Sequence, residues 1–305
     1  MIIDKMRIKY RLTVKGKDRG SPVPLDLTPY GVKDIREKDI PPFELKKVGS
    51  WAYMCWITLD ECEAAFAFFY GQFGKNFSVD WSLCQIEYNP NKTRVPSFIG
   101  GFLAEKYAKI HTIVSIDVAF DFKGVPVSHF GVVAHGATEV MTYGTLSGIP
   151  ARYVRPKTND GRIKIYDKEK EREGKPDAEK YKGITRVEVT YHDVTFLLSQ
   201  NFYSSDIDRL NSMVDDLNAV RVPDVAKMAS RDGLNGLYAD MLDDIYFAYG
   251  LDKALTYCRR ISRNSWKKYR DYILTRSGSH PVFEGDGILF GLQLSDELQR
   301  VLYCA

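Results

Sequence analysis

The run Arg162-Ile-Lys-Ile-Tyr-Asp-Lys168 alternates polar with apolar residues. Arg162, Lys164, Tyr166 and Lys168 therefore share one face of a strand, and Ile163 and Ile165 share the other. A tyrosine among cations is equipped to attack a phosphate: the phenol oxygen is a nucleophile, and the flanking charges hold phosphate oxygens and stabilise the transition state. An ordinary tyrosine ionises at a pKa of about 10. Reaction near neutrality therefore needs a metal-bound phosphate and help from Lys164 or Lys168.

Two further segments carry the carboxylates such chemistry uses. Ser115-Ile-Asp-Val-Ala-Phe-Asp-Phe-Lys123 turns Asp117 and Asp121 to one side and Ile116, Val118, Phe120 and Phe122 to the other. Thr185-Arg-Val-Glu-Val-Thr190 sets Arg186, Glu188 and Thr190 against Val187 and Val189. If both strands pair in one sheet with the Tyr166 strand, carboxylates from two strands meet a tyrosine from a third. Hard oxygen ligands favour Mg²⁺ or Mn²⁺, which polarises a scissile phosphate and neutralises developing charge. Asp121 reads either as a third ligand or as a surface carboxylate. His192, just past the Glu188 strand, reads either as a ligand or as a histidine satisfied at a strand end.

At 305 residues the chain has length for one large or two moderate domains with a sizeable core. Its 44% hydrophobic and 27% charged content is that of a globular protein, and a net charge of +3 allows a nucleic-acid partner without demanding one. The five cysteines are dispersed with no CxxC, which argues against a disulfide framework or a structural zinc site. A reducing, cytoplasmic compartment is expected, with no visible signal peptide and no membrane span.

The elements that must position these residues follow from periodicity. A basic-faced strand is expected over 5 to 15, a proline-rich loop from there to Pro42, and a buried strand over 49 to 57. A helix is expected through Glu61, Ala64, Ala65, Phe68 and Phe69, ended by Gly71 and Gly74, and a short helix around 102 to 109. Strands are expected near 82 to 88, 112 to 122, 129 to 134, 139 to 143, 162 to 167 and 184 to 191. Asp167 to Lys182, with six acids and six bases, reads as a solvated helix or a hairpin arm. Beyond Ser204 the spacing turns helical, with Ile207, Leu210, Val214 and Leu217 in one stretch and Leu237, Met241, Ile245 and Ala248 in another. The last stretch, Tyr257 to Arg276, holds seven basic residues against one acid and reads as one helix with Arg259, Arg263, Lys267 and Arg270 on a stripe. That stripe is either a solvated face or a contact for a phosphate backbone.

Taken in order, the pieces resemble the replication initiators of filamentous phages and rolling-circle plasmids. Ile3-Asp4-Lys5-Met6-Arg7-Ile8 looks like the start of that family, and Asn89-Pro90-Asn91-Lys92 resembles its N-P-x-K segment. Ile116-Asp117 with Asp121 is similar to the R-I-D-x-x-x-D strand, with Ser115 standing where an arginine is usual. Tyr143-Gly144-Thr145 with Ser147, then Tyr166, Lys168 and Glu171, resemble the plasmid block G-S-x-x-S … R-x-Y-x-K-x-x-E, and Thr185-Arg186-Val187-Glu188 resembles the V-R-x-E strand. The resemblance covers about residues 1 to 200. It implies Tyr166 as the nicking nucleophile, Asp117 and Glu188 as metal ligands, and Lys168 as a phosphate or tyrosine positioner. The paired-histidine motif of many rolling-circle nucleases is missing, and a second tyrosine is not identifiable, Tyr191 and Tyr203 being the candidates.

The expectation is an α+β fold: an antiparallel sheet with helices packed on one face, rolling-circle nuclease-like, then a helical C-terminal region. Residues 1 to 204 would be the catalytic domain, and 205 to 305 would bind DNA or a partner. The expected function is metal-dependent nicking of one strand at a double-stranded origin, leaving a 5′-phosphotyrosine and starting rolling-circle replication. Lys164, Arg162, Arg186 and the four stripe residues would contact DNA, single- and double-stranded, with the basic strand at 5 to 15 adding origin contacts. No P-loop occurs, so a host helicase and polymerase would act as partners; a homodimer is allowed. Two other classes fit the same residues: a non-catalytic DNA-binding replication regulator, and a relaxase- or transposase-type tyrosine transesterase.

Overall fold

The computed structural model describes residues 1–12, 32–37, 51–59, 66–74, 78–92, 109–132, 137–143, 151–156, 163–199, 201–224, 233–249, 251–275 and 278–303. Arg162 and the Gly144-Thr145-Ser147 segment lie outside these residues. So does the helix expected around 102 to 109, up to its last position, Lys109. The architecture is α+β, as expected. In chain order the first strands are β1 (Ile2–Arg11), β2 (Val32–Glu37), β3 (Trp51–Leu59), β4 (Phe66–Phe73), β5 (Val79–Tyr88) and β6 (Lys109–Lys123). Then come β7 (Gly131–Val132), β8 (Ala137–Tyr143), β9 (Ala151–Pro156), β10 (Ile163–Asp167), α1 (Lys168–Glu171) and β11 (Ile184–His192). The remainder is α2 (Ser204–Leu217), β12 (Val220–Val222), α3 (Gly236–Tyr249), α4 (Leu251–Ile261), α5 (Trp266–Thr275), β13 (His280–Pro281) and α6 (Gly287–Tyr303).

The chain gathers into two compact units, each made of separate stretches. One holds 2–118, 191–201 and 292–305; the other holds residue 1, 119–190 and 202–291. In the first unit the hydrogen-bonded strand order is β2-β3-β4-β5-β1-β6. Alternation along β1 turns Met6, Ile8 and Tyr10 inward against Tyr88, Ile86 and Cys84 of antiparallel β5. Lys5, Arg7, Lys9 and Arg11 turn the other way, giving the basic face expected. Part of that charge is already spent: Arg7 pairs with Glu87 at 2.6 Å and Lys5 pairs with the same carboxylate.

Two expectations fail in this unit. Val32–Glu37 lies in the proline-rich stretch read as loop, yet it pairs as a strand with β3. Phe66–Phe73, read as part of a helix, is strand β4, paired on both sides with β3 and β5. Phe66, Ala67, Phe68, Phe69 and Tyr70 are all buried, and such an unbroken apolar run carries no periodicity to separate a core strand from a core helix. The aromatic content favours the strand. Gly71, read as a helix stop, instead sits at a register shift with φ +69, where a Cβ would come within 2.6 Å of the Trp81 ring. β3 is a strand as expected, although Trp56 is 42% exposed.

In the second unit the order runs β6-β11-β10-β9-β8, with β8·β9, β9·β10 and β10·β11 antiparallel. β9 had no counterpart in the sequence reading. Its Arg152, 4% exposed, donates to the Phe130 carbonyl at 2.5 Å and pairs with Asp244 at 3.1 Å. The charged segment after Asp167 is a hairpin arm joining β10 to β11, made of α1 and a 3-10 turn at Ala178–Tyr181.

Helices α2 to α5 bear out the helical character past Ser204, with two corrections. In α3 two residues of the expected apolar stripe are on the outside, Leu237 73% and Met241 40% exposed, while Ile245 packs against the core that buries Ala239 and Leu242. The side turned inward also carries Asp243, whose carboxylate accepts from the Tyr272 hydroxyl at 2.8 Å. The single helix expected over 257 to 276 is instead two helices, α4 and α5, broken at Ser262 to Ser265, where the Ser265 N–H donates to Ser262 Oγ at 3.1 Å. Ser-Arg-Asn-Ser offers side-chain partners that compete with helical hydrogen bonds, which is why the helix stops there.

Candidate active site

Hairpin β10–β11 is fixed by its apolar side. Ile163 faces Val189 and Ile165 faces Val187, and all four are at most 1% exposed. Burial of such side chains is worth about 1.5–3 kcal/mol each, and a slip of one residue would turn them to the opposite face. The register therefore sets Lys164 opposite Glu188 and Tyr166 opposite Arg186 on the polar side.

On that side four residues meet. The Tyr166 hydroxyl donates to Glu188 Oε2 at 3.1 Å, and Lys168 Nζ donates to the Tyr166 oxygen at 3.3 Å while lying 5.4 Å from the ring centroid. Lys164 Nζ donates to Glu188 Oε1. Glu188 is 5% exposed and Lys168 6%, so the charges interact away from bulk water, where they count for more. Beside them Arg186, 1% exposed, holds both oxygens of Asp121, Nε on Oδ1 at 2.6 Å and Nη2 on Oδ2 at 2.8 Å.

The arm after β10 positions Lys168. Asp167 caps α1 by accepting from the Lys170 N–H at 3.0 Å, so Lys168 opens the helix. Lys168 pairs with Glu171 at 2.9 Å, and Lys175 reaches the same carboxylate at 3.0 Å. Burial pushes the Glu171 carboxyl up, but hydrogen bonds and charge from Lys168 and Lys175 hold it below the usual glutamate range. The Tyr181 ring, at the far end of the arm, has Lys168 Nζ at 5.5 Å, the Arg186 guanidinium at 5.8 Å and that of Arg172 at 5.9 Å. Sequence reasoning missed Tyr181 and did not foresee the Arg186–Asp121 pair. The ring lay in a segment read only as solvated charge.

The remaining expected site residues are placed as follows. Asp117 belongs to the first unit, is 8% exposed, and by alternation along β6 turns to the same side as Asp121. His192 ends β11 in that unit, as does Tyr191, which is fully buried; Tyr203 is 76% exposed just before α2. Arg259 lies on α4, Arg263 in the turn after it, and Lys267 and Arg270 on α5, so the four do not form one helical stripe.

The donor set was weighed for a divalent cation. Among the described residues no group of three His, Cys, Asp or Glu side chains converges on one point. Glu188 is a buried hard-oxygen donor of the right type, although Lys164 and Tyr166 now satisfy its oxygens. Asp121 fits poorly, because the Arg186 fork takes up both of its oxygens.

No protein-family model matches the chain, and no curated protein does either. Among solved structures it is similar to the rolling circle replication initiator protein from Geobacillus stearothermophilus, at 10% identity and a TM-score of 0.39, over 77% of this chain and 88% of that one.

Proposed function

We propose that the chain is a replication initiator that nicks one strand at a double-stranded origin through Tyr166. The observation that carries this reading is the Tyr166 hydroxyl, held at once by the Glu188 carboxylate and the Lys168 ammonium. That is the arrangement of an activated nucleophile: a base on the proton and a cation beside the oxygen. In the forward step the Tyr166 oxygen forms a bond to the scissile phosphorus as its proton passes to Glu188. The P–O3′ bond breaks, the 3′ oxygen takes up a proton from solvent, and the 5′ phosphate stays on the tyrosine. Reversal of the same step by a 3′ hydroxyl rejoins the strand. Lys168 stabilises phenolate and phosphate charge, and Lys164 adds a second cation at the same edge.

A divalent cation would be held through Glu188, the buried hard-oxygen donor of this face. When bound it would neutralise charge on the scissile phosphate. Asp121 is better read as the partner that keeps Arg186 buried and fixed than as a ligand. The test is to incubate the protein with supercoiled DNA carrying its own replicon's origin and divalent metal, and to look for a covalent protein–DNA adduct. Wild type should form it and Tyr166→Phe should not; an adduct undiminished in Tyr166→Phe rejects Tyr166 as the nucleophile.

A further inference from the structure

Helices α3, α4 and α5 share one apolar core. It is built from Ala239 and Leu242 of the first, Ala254 and Cys258 of the second, and Tyr269, Tyr272 and Ile273 of the third. The turn between α4 and α5 is only residues 262 to 265, closed by the Ser265–Ser262 hydrogen bond. Two helices joined by so short a turn and braced by a third can present the second helix to a DNA groove. Charge is divided between the helices. α3 carries Asp240, Asp243 and Asp244 and no base, whereas Tyr257 to Thr275 carries Arg259, Arg260, Arg263, Lys267, Lys268 and Arg270 against Asp271 alone.

The two basic helices are locked together at the charged end. Trp266, the first residue of α5, lies between two guanidinium groups, with Arg259 of α4 at 4.8 Å and Arg270 of its own helix at 5.3 Å from the ring centroid. Arg270 also donates to Asp271 at 2.7 Å. With Tyr269, Tyr272 and Ile273 committed to the core, α5 exposes Lys267, Lys268, Asp271 and Leu274, and of these Lys267, Asp271 and Leu274 fall about one turn apart along a single stripe. A cation, a carboxylate and an aliphatic tip are the three side-chain types that read guanine, cytosine and the thymine methyl in a major groove. Leu274 is 44% exposed on this otherwise charged face.

We propose that α4, its turn and α5 form a duplex-reading module. α5 lies in the major groove with Lys267, Asp271 and Leu274 on base edges, and Arg259, Arg260 and Arg263 hold the flanking phosphates. The inference rests on the reading of the chain as an origin-nicking initiator only for which duplex is bound, since the module's chemistry stands apart from Tyr166.

The test is selection by the full-length protein from a pool of random-sequence duplexes, read by sequencing. A defined motif should be enriched. Lys267→Ala, Asp271→Ala and Leu274→Ala should each relax preference at its own position of the motif, on the order of tenfold. Arg263→Ala should weaken all duplexes alike and flatten the salt dependence by about one phosphate contact. Circular dichroism and thermal melting of these surface variants keep loss of fold distinct from loss of contact. The proposal fails if no motif is enriched, or if the three α5 variants, still folded, keep the wild-type motif, or if single-stranded DNA competes as well as duplex. A wild-type protein that forms the tyrosine adduct but enriches no motif overturns the module and leaves the nicking reading intact. Enrichment with no adduct does the reverse.

Discussion

Tyr166 and Glu188 share a 3.1 Å hydrogen bond without being cross-strand partners, since the register sets Tyr166 opposite Arg186 and Lys164 opposite Glu188. The contact is diagonal, within reach of a long side chain on a paired strand. It forms because the residue directly opposite is engaged elsewhere: Arg186 turns its fork to Asp121 on β6. The phenol is thereby steered toward a carboxylate and away from a guanidinium.

Lys168 supplies the cation on the other side of the phenol, 3.3 Å from its oxygen. Removing that charge while keeping the stem, in Lys168→Met, should slow adduct formation by about 10²-fold, the scale of a single transition-state stabiliser. Its rate should also keep rising with pH beyond the point where wild type levels off, because a nearby cation favours the ionised phenol. Single-turnover adduct formation across pH 6 to about 10, chosen to bracket the ordinary phenol, checks both. A parallel loss at every pH would assign Lys168 to DNA binding instead.

The Asp121 and Glu188 carboxylates should behave differently. Asp121→Asn strips the counter-charge from Arg186, a guanidinium only 1% exposed, and should cost about 2–3 kcal/mol in denaturant unfolding whether or not divalent cation is present. Glu188→Gln removes the proposed base and the proposed cation ligand together. It should abolish the adduct, and added Mg²⁺ or Mn²⁺ should no longer raise the melting temperature. If Asp121→Asn instead loses the metal-dependent shift while its stability holds, Asp121 is a ligand after all.

What the sequence could convey follows from where the information was local. The faces of β6, β10 and β11 were legible because each strand is apolar on one side and polar on the other, so Tyr166 and Lys164 could be put on one polar face and Glu188 on another, to meet if β10 and β11 pair, as they do. β4 was misread because Phe66 to Tyr70 is apolar throughout, and its strand state is set by pairing with β3 and β5. The helix break at Ser262 lay within a stretch whose charge periodicity carried across it, and only the serine pair marked the stop. The Arg186–Asp121 pairing depends on which strands are neighbours in the sheet, which no spacing within either segment encodes. Tyr181 stands outside any periodic element and reaches the site through the fold of the arm.

Acid should weaken the first unit through Glu87. Burial pushes this carboxyl up, but the hydrogen bond and charge of Lys5, together with Arg7, outweigh it and leave Glu87 below the usual glutamate range. A folded-state value lowered in this way stabilises the protein at pH above the unfolded glutamate value, about 4.3. That contribution is lost as pH falls through the lower folded value. Glu87→Gln should therefore reduce stability at pH 7 by about 1–2 kcal/mol, and the difference from wild type should vanish toward pH 2 to about 3. Urea unfolding of both proteins at the two pH values measures it; a difference that persists in acid would trace to packing of the side chain.

Tyr181 offers the sharpest separation of positioning from chemistry. Lys168 Nζ lies 5.4 Å from the centroid of Tyr166 and 5.5 Å from that of Tyr181, so the ammonium contacts both the ring proposed to react and a second ring. Each such contact is worth about 0.5–2 kcal/mol when partly desolvated. Tyr181→Leu should free Lys168 to swing toward Glu171, its ion-pair partner at 2.9 Å, and slow adduct formation by about tenfold. Tyr181→Phe keeps the ring face over which the ammonium lies and should restore the rate. The signature is in the pH profile: Tyr181→Leu should take on part of the alkaline displacement expected of Lys168→Met, and Tyr181→Phe none. A Tyr181→Leu protein that is slower with an unshifted profile would place the ring in the scaffold of the arm and not in the positioning of Lys168.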